Sequence, residues 1–211
     1  SRLPTPPEAI TGTLTASGSN VLMLEVRTRL ENTGGSLAGN GMLDLRSAHL
    51  INNQGSIQAA GAGSNTIAVG NAVENVAGRI LTTGSTTLTA ASVDNRGGTL
   101  HADGSSALSV TVDGLLDNSA QGTVSAGGEL QARVESLNNA AGMLVAGQGL
   151  QLDAVTMVSN LAGLIQAGGL LDLDASGVQN NNGRIIAGTL QVDTRGLALG
   201  NHAGPSRSRA Y

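Results

Sequence analysis

The chain has 211 residues, a net charge of −4, 31 Gly, no Cys, Trp or Phe, one Tyr, and only 12% charged residues, all eleven basic ones being Arg. A chain this acidic lacks the clustered cations of a nucleic-acid surface, and without Cys it has no disulfide framework or thiolate metal site. No apolar run reaches the roughly 18 residues of a membrane-spanning helix, and the aromatic girdles of a membrane barrel are missing, since no aromatic residue precedes Tyr211.

The start, Ser1 to Glu8, holds three of the four prolines and no periodicity; residues 1–9 read as a linker. No secretory leader is present, so an export signal is expected outside this sequence. A degenerate first unit follows, Gly12 to Ala16 and then Val21 to Val26. From there one pattern recurs. Asn stands at 32, 52, 75, 95, 118, 139, 160, 180 and 201, at spacings of 20 to 23 residues. Gly follows three places later as Gly35, Gly55, Gly78, Gly98, Gly142, Gly163, Gly183 and Gly204, and four places later once, as Gly122. Two past each Gly comes an apolar residue, for example Leu37, Ile57, Leu100 or Leu144. So many registered repeats of one short unit indicate a solenoid, in which no unit can bury its apolar face alone.

Within each unit, segments such as Leu130-Gln131-Ala132 and Leu171-Asp172-Leu173-Asp174 alternate with period two, the signature of strands. No helical period is sustained, and Gly recurs too often for helices to persist. About 20 residues with short strands and Gly-marked corners make one coil of a parallel β-helix. At the strand spacing of about 4.8 Å, eight to ten coils form a rod of roughly 40–50 Å. In that geometry Asn32, Asn52, Asn75, Asn95, Asn118, Asn139, Asn160 and Asn180 are expected to stack as a ladder of side-chain amides. The glycines three places on are expected to supply a positive φ at the same corner.

Two coils are long, with 23-residue spacings. The first carries its extra residues at Ala60, Gly61, Ala62, Gly63, Ser64 and Asn65. The second carries them at Asp103, Gly104, Ser105 and Ser106 and around Asp113-Gly114. Solenoid insertions become loops on one face, either a binding face or a plain surface bulge, so these residues are the candidate binding loops. Residues 10–204 are read as one repeat domain, and 205–211 as a flexible tail.

The repeat itself, seen in Val93-Asp94-Asn95-Arg96-Gly97-Gly98-Thr99-Leu100-His101-Ala102, in Leu116-Asp117-Asn118 and in Leu137-Asn138-Asn139-Ala140-Ala141-Gly142, resembles the filamentous haemagglutinin repeat of bacterial two-partner secretion exoproteins. The resemblance covers about Gly12 to Gly204. It implies an all-β, right-handed parallel β-helix, an internal shaft fragment without terminal caps, belonging to a secreted, surface-exposed adhesin. It equally admits the stalk of a contact-dependent growth inhibition toxin. It implies an outer-membrane transporter acting on the parent protein and a cell-surface receptor or glycan as partner. The family's secretion domain and any toxin domain have no counterpart in the sequence. A chain of this composition also suits export through a channel unfolded.

Parallel β-helices also carry glycan-cleaving enzymes, which need acids grouped on one face. Asp153, Asp172, Asp174 and Asp193 lie on neighbouring coils and Asp44 shares the phase of Asp172, but Gln131, Gln151 and Gln191 serve equally at such outward positions. His49, His101 and His202 fall at different phases and are not expected to converge on a zinc ion or a triad. Arg27, Arg29 and Arg46 are interleaved with Glu25, Glu31 and Asp44, a mixed surface. No enzyme, cofactor, metal or nucleic-acid partner is expected. Open strand edges at the ends suggest end-to-end self-association.

Overall fold

The computed structural model describes residues 12–203. The linker at 1–9, Gly204 and the tail at 205–211 lie outside the described residues. Those residues form strands and corners only, with no helix among them. Nine short strands make one sheet: Thr13–Ala16, Ser36–Gly39, Ser56–Ala59, Arg79–Thr82, Thr99–Ala102, Thr123–Ala126, Met143–Ala146, Leu164–Ala167 and Arg184–Ile186. The intervening strands make a second, 14-stranded sheet. Pairing is parallel throughout and joins like positions of successive coils, as in Leu100 with Ile80 and with Val124. The chain is a β-solenoid.

Alternation explains the two faces of the first sheet. Leu37, Ile57, Ile80, Leu100, Val124, Leu144 and Ile165 point inward and are almost wholly buried. Two residues on, Gly39, Ala59, Thr82, Ala102, Ala126, Ala146 and Ala167 form a second inward column, of small residues beside a corner. From the second sheet Leu45, Ile67, Leu88, Val110, Ala132, Leu152 and Leu173 close the interior. A coil therefore stacks aliphatic on aliphatic, each side chain contributing roughly 1.5–3 kcal/mol when fully buried. That stabilisation depends on having a coil on both sides. At the described ends inward columns are bare: Leu14, which pairs with Leu37, is 40% exposed at one end, and Leu190 and Leu199, which pair with the buried Leu171 and Val178, are 48% and 50% exposed at the other.

The corner after each Asn corrects one expectation. The positive φ belongs to the residue before the column glycine: Gly34, Gln54, Ala77, Gly97, Gln121, Ala141, Ala162 and Asn182, with φ between 52° and 71°. The column glycines Gly55, Gly78, Gly98, Gly122, Gly142, Gly163 and Gly183 are needed for a different reason. A Cβ on Gly98 would lie 2.0 Å from the backbone oxygen of Asn75 in the preceding coil and 2.7 Å from the Oδ1 of Asn95. The others meet the same two oxygens at similarly impossible distances. The selection is for space.

Candidate functional site

Two features carry the polar chemistry of the molecule, one inside and one outside. Inside, the Asn column forms an unbroken chain of amides. Each Nδ2 donates to the Oδ1 of the next coil, from Asn32 through Asn52, Asn75, Asn95, Asn118, Asn139, Asn160 and Asn180 to Asn201, at 2.6–2.8 Å. The second Nδ2 hydrogen reaches a backbone carbonyl of the next coil, as from Asn139 to Leu164 at 3.0 Å. Asn32 to Asn160 are essentially buried, so the links from Asn32 to Asn180 form in a low-dielectric interior where satisfied chains of hydrogen bonds reinforce one another. The ladder has a direction. Oδ1 of Asn32, at its head, is buried without a donor among the described residues. This column is architectural.

Outside, the two long coils shape the surface. They flank the coil that starts at Asn75. Ala59 and Asn65 are separated by five residues, as are Ala102 and Leu108, whereas Thr82 and Thr86 in the coil between are separated by three. Each long coil also adds one residue at the next corner: Val69 to Val73 and Val112 to Leu116 span four positions where Ala90 to Val93 spans three. For the second of these, the extra residue is a bulge between Val112 and Leu115, at the Asp113-Gly114 pair.

Of the candidate loop residues, Ala60, Ala62, Gly63, Ser64, Asp103, Gly104 and Ser105 are exposed, while Gly61 and Ser106 are half-buried. Asn65 is not a loop residue at all. It is 1% exposed, begins the strand Asn65–Val69, and accepts from the N–H of Leu43 at 2.9 Å. It stands in an interior column that reads Leu43, Asn65, Thr86, Leu108. Its Nδ2 lies 3.4 Å from the Oγ1 of Thr86, which lies 2.6 Å from the Oγ1 of Thr82. The polar residues are tolerated in the core because they satisfy one another and the turn beside them, Thr86 also bonding the carbonyl of Gly84 at 3.1 Å. Nothing in the local sequence marked Thr82 and Thr86 as partners of Asn65. Only the coil register does.

Above that network lies a cleft of about 340 Å³. It runs across three coils at the edge of the first sheet, bounded by Ala60 on one long corner and Asp103 on the other, with Thr83 of the short corner between them. In-register pairing sets its floor: Leu81 lies between Gln58 and His101, and Arg79 occupies the same strand two residues earlier. Arg79 is exposed and makes no ion pair among the described residues, unlike Arg29, Arg46, Arg96 and Arg195, which pair with Glu31, Asp44, Asp94 and Asp153.

His101 has polar neighbours that the coil register supplies. Its Nδ1 lies 2.8 Å from the Oγ of Ser125 on the next coil, and its Nε2 lies 3.6 Å from Oδ1 of Asp103. The set has the composition of a hydrolytic triad but not its geometry. The carboxylate is beyond hydrogen-bond range, and the strand carrying Ser125 is paired on both sides, which commits its backbone N–H groups to the ladder and leaves no oxyanion donor there. His49 contacts Asn71 at 3.2 Å on another face. His202 is placed by its backbone N–H, which donates to Asn181 at 2.9 Å.

Asp153, Asp174 and Asp193 do share one outward column, with Asp172 in the column of Gln151 and Gln191. Arg195 reaches back to Asp153 at 2.7 Å and to the carbonyls of Ala154 and Val155. Among the described residues, no three His, Asp or Glu side chains gather as metal ligands. Arg96, beside the ladder, pairs with Asp94 at 2.7 Å, and the hydrogen bond from its side chain holds the Asp94 carboxyl below the ordinary carboxylate range.

No curated protein and no solved structure matches the chain. The model of the haemagglutinin repeat, in contrast, matches residues 9–75, 58–120, 106–160 and 154–200, overlapping segments that together span nearly all of it. With its β-solenoid and the Asn–Gly corner recurring through these segments, the chain belongs to the haemagglutinin repeat family.

Proposed function

We propose that this chain is a shaft segment of a secreted, filamentous-haemagglutinin-like adhesin on a bacterial surface, and that it contributes to adhesion to cells or surfaces. The observation that supports this most directly is the continuity of the stack: the haemagglutinin repeat runs through residues 9–200 and the amide ladder runs through it without a break from Asn32 to Asn201. Such a rod resists bending and proteolysis, because every coil between the ends is paired on two sides. Its parent would leave the cell through an outer-membrane transporter of the two-partner type. Its role is mechanical and binding, with no catalytic step.

The test is attachment. Beads coated with the chain are expected to adhere to target cells above beads coated with an unrelated solenoid of equal length. Equal attachment would overturn an adhesive role for this segment. Attachment restricted to bacteria of the producing kind would instead favour the stalk of a contact-dependent growth inhibition toxin.

A further inference from the structure

We propose that the cleft between the two long corners binds a carboxylated glycan, with Arg79 holding the carboxylate and Asp103 a sugar hydroxyl. This rests on the adhesive reading above and names the ligand class of its recognition site.

The coil lattice fixes what the cleft offers. Neighbouring coils are about 4.8 Å apart, and alternate residues of a strand about 6.6 Å. Gln58 and His101 therefore flank Leu81 at one coil spacing on either side. Arg79 and Thr83 lie one alternate position away along the same strand direction, on opposite sides of Leu81. From Arg79 to Asp103 the span is about 13 Å along the strand and one coil across, the length of a disaccharide and too long for one small anion. Arg79 is an exposed guanidinium with no ion-pair partner among the described residues, so its fork of donors is open to a carboxylate. At the far end the Asp103 side chain is 73% exposed; its Oδ1 accepts from the Gly104 N–H at 2.7 Å and lies 3.6 Å from Nε2 of His101, while its Oδ2 has no hydrogen-bond partner among the described residues and is open to a hydroxyl. Between the two ends, the half-buried Leu81 gives an apolar floor for the C–H face of a sugar ring, with the amide of Gln58 and the imidazole of His101 at its rim.

A donor fork at one end, an acceptor at the other and an apolar patch between is the pattern of a uronic-acid-bearing sugar pair. A simple polyanion such as phosphate would be opposed by Asp103. The mixed signs distinguish this site from a general basic patch.

The same outward column supplies an internal control. Arg184 occupies the position of Arg79 several coils on, through Thr99, Thr123, Met143 and Leu164. It too is exposed and outside any ion pair among the described residues, but Ile186 stands where Leu81 does and neither long corner is near.

The experiment is a nuclear magnetic resonance titration of the full chain with a hyaluronan tetrasaccharide and with a neutral chitin tetrasaccharide. The acidic sugar is expected to produce saturable shifts confined to residues around 58, 79–83 and 101–103, and the neutral one to bind at least fivefold more weakly. Arg79→Gln is expected to weaken the acidic sugar about tenfold, from the loss of a charged hydrogen bond. Asp103→Asn is expected to weaken both sugars, and Arg184→Gln to change neither. Equal binding of both sugars, or equal effects of the Arg79 and Arg184 substitutions, would overturn the proposal. Shifts scattered along the rod would show only nonspecific charge attraction and would overturn it too. If Arg79→Gln abolishes sugar binding while coated beads still adhere to cells, the adhesive reading survives and the cleft is not its site.

Discussion

The backbone oxygen of Asn75 lies 2.0 Å from where a Cβ on Gly98 would stand. One coil leaves no room for a side chain on the next, and the Asn–Gly corner can repeat only because glycine occupies that place. The neighbouring position obeys the opposite rule. Gly97 has φ of 62°, yet Ala77, Ala141 and Ala162 adopt nearly the same angle in their own coils.

Two alanine substitutions separate these causes. Gly98→Ala is expected to destabilise the solenoid by several kcal/mol, because the clash is with fixed backbone. Gly97→Ala, whose Cβ would meet only the oxygen of Ala120 at 3.5 Å, is expected to cost about 1–2 kcal/mol, the usual penalty for the left-handed region. Thermal melting of the pair measures this. A larger loss at 97 than at 98 would restore dihedral preference as the reason for the column.

The ladder predicts an asymmetry at Asn139. Replacing it with Ala leaves the Oδ1 of Asn160 without its donor and the Nδ2 of Asn118 with only the carbonyl of Met143. Each buried group left unpaired costs about 1–3 kcal/mol, so a loss of roughly 2–4 kcal/mol is expected. Asn139→Asp keeps the acceptor but buries a charge and donates nothing, and should be worse. Denaturant unfolding in which Asp matches Asn would mean that the ladder carries no stability.

Much of this was open to a reader of the residues. Nine asparagines at spacings of 20 to 23 require a coil, and the alternation in Leu171-Asp172-Leu173-Asp174 requires strands. The place of the column glycine is legible in the sequence and its reason is not, because a clash with Asn75 is a contact across 23 residues and leaves no local mark. Asn65 is hidden for a related cause. It follows Gly63 and Ser64 and looks like loop, but its partners Leu43 and Thr86 lie 22 and 21 residues away on either side. The cleft was legible only as the excess length of two coils. The grouping of Arg79, Gln58, His101 and Asp103 follows from register, and Ser125 comes beside His101 for the same reason.

The Asp94–Arg96 pair gives a pH-linked prediction. The folded carboxyl of Asp94 titrates below its ordinary value, first because Arg96 hydrogen-bonds it. Its stabilising contribution is therefore present above the unfolded carboxylate pKa and is lost as pH falls through the lower folded value. Arg96→Gln is expected to raise the Asp94 pKa toward the ordinary range, read from side-chain carbonyl shifts across an acid titration. No movement would assign the lowering to another cause.

Bare inward columns predict contact between copies. Leu190, Val192 and Leu199 are exposed on the last described coil, whose outer strand edge has no neighbour among the described residues. Sedimentation is expected to show concentration-dependent end-to-end association, reduced by Leu190→Arg. A monomer at every concentration would contradict it.

Recognition is proposed to reside where the repeat lengthens, the repeat itself being architecture. The direct test shortens both long corners to the three residues of their neighbour, by deleting Ala62 and Gly63 in one and Gly104 and Ser105 in the other. Attachment of beads coated with this variant is then compared with the parent chain, with circular dichroism confirming that both are folded. A folded variant that has lost attachment is the result expected. A folded variant that adheres as well as the parent would contradict the claim.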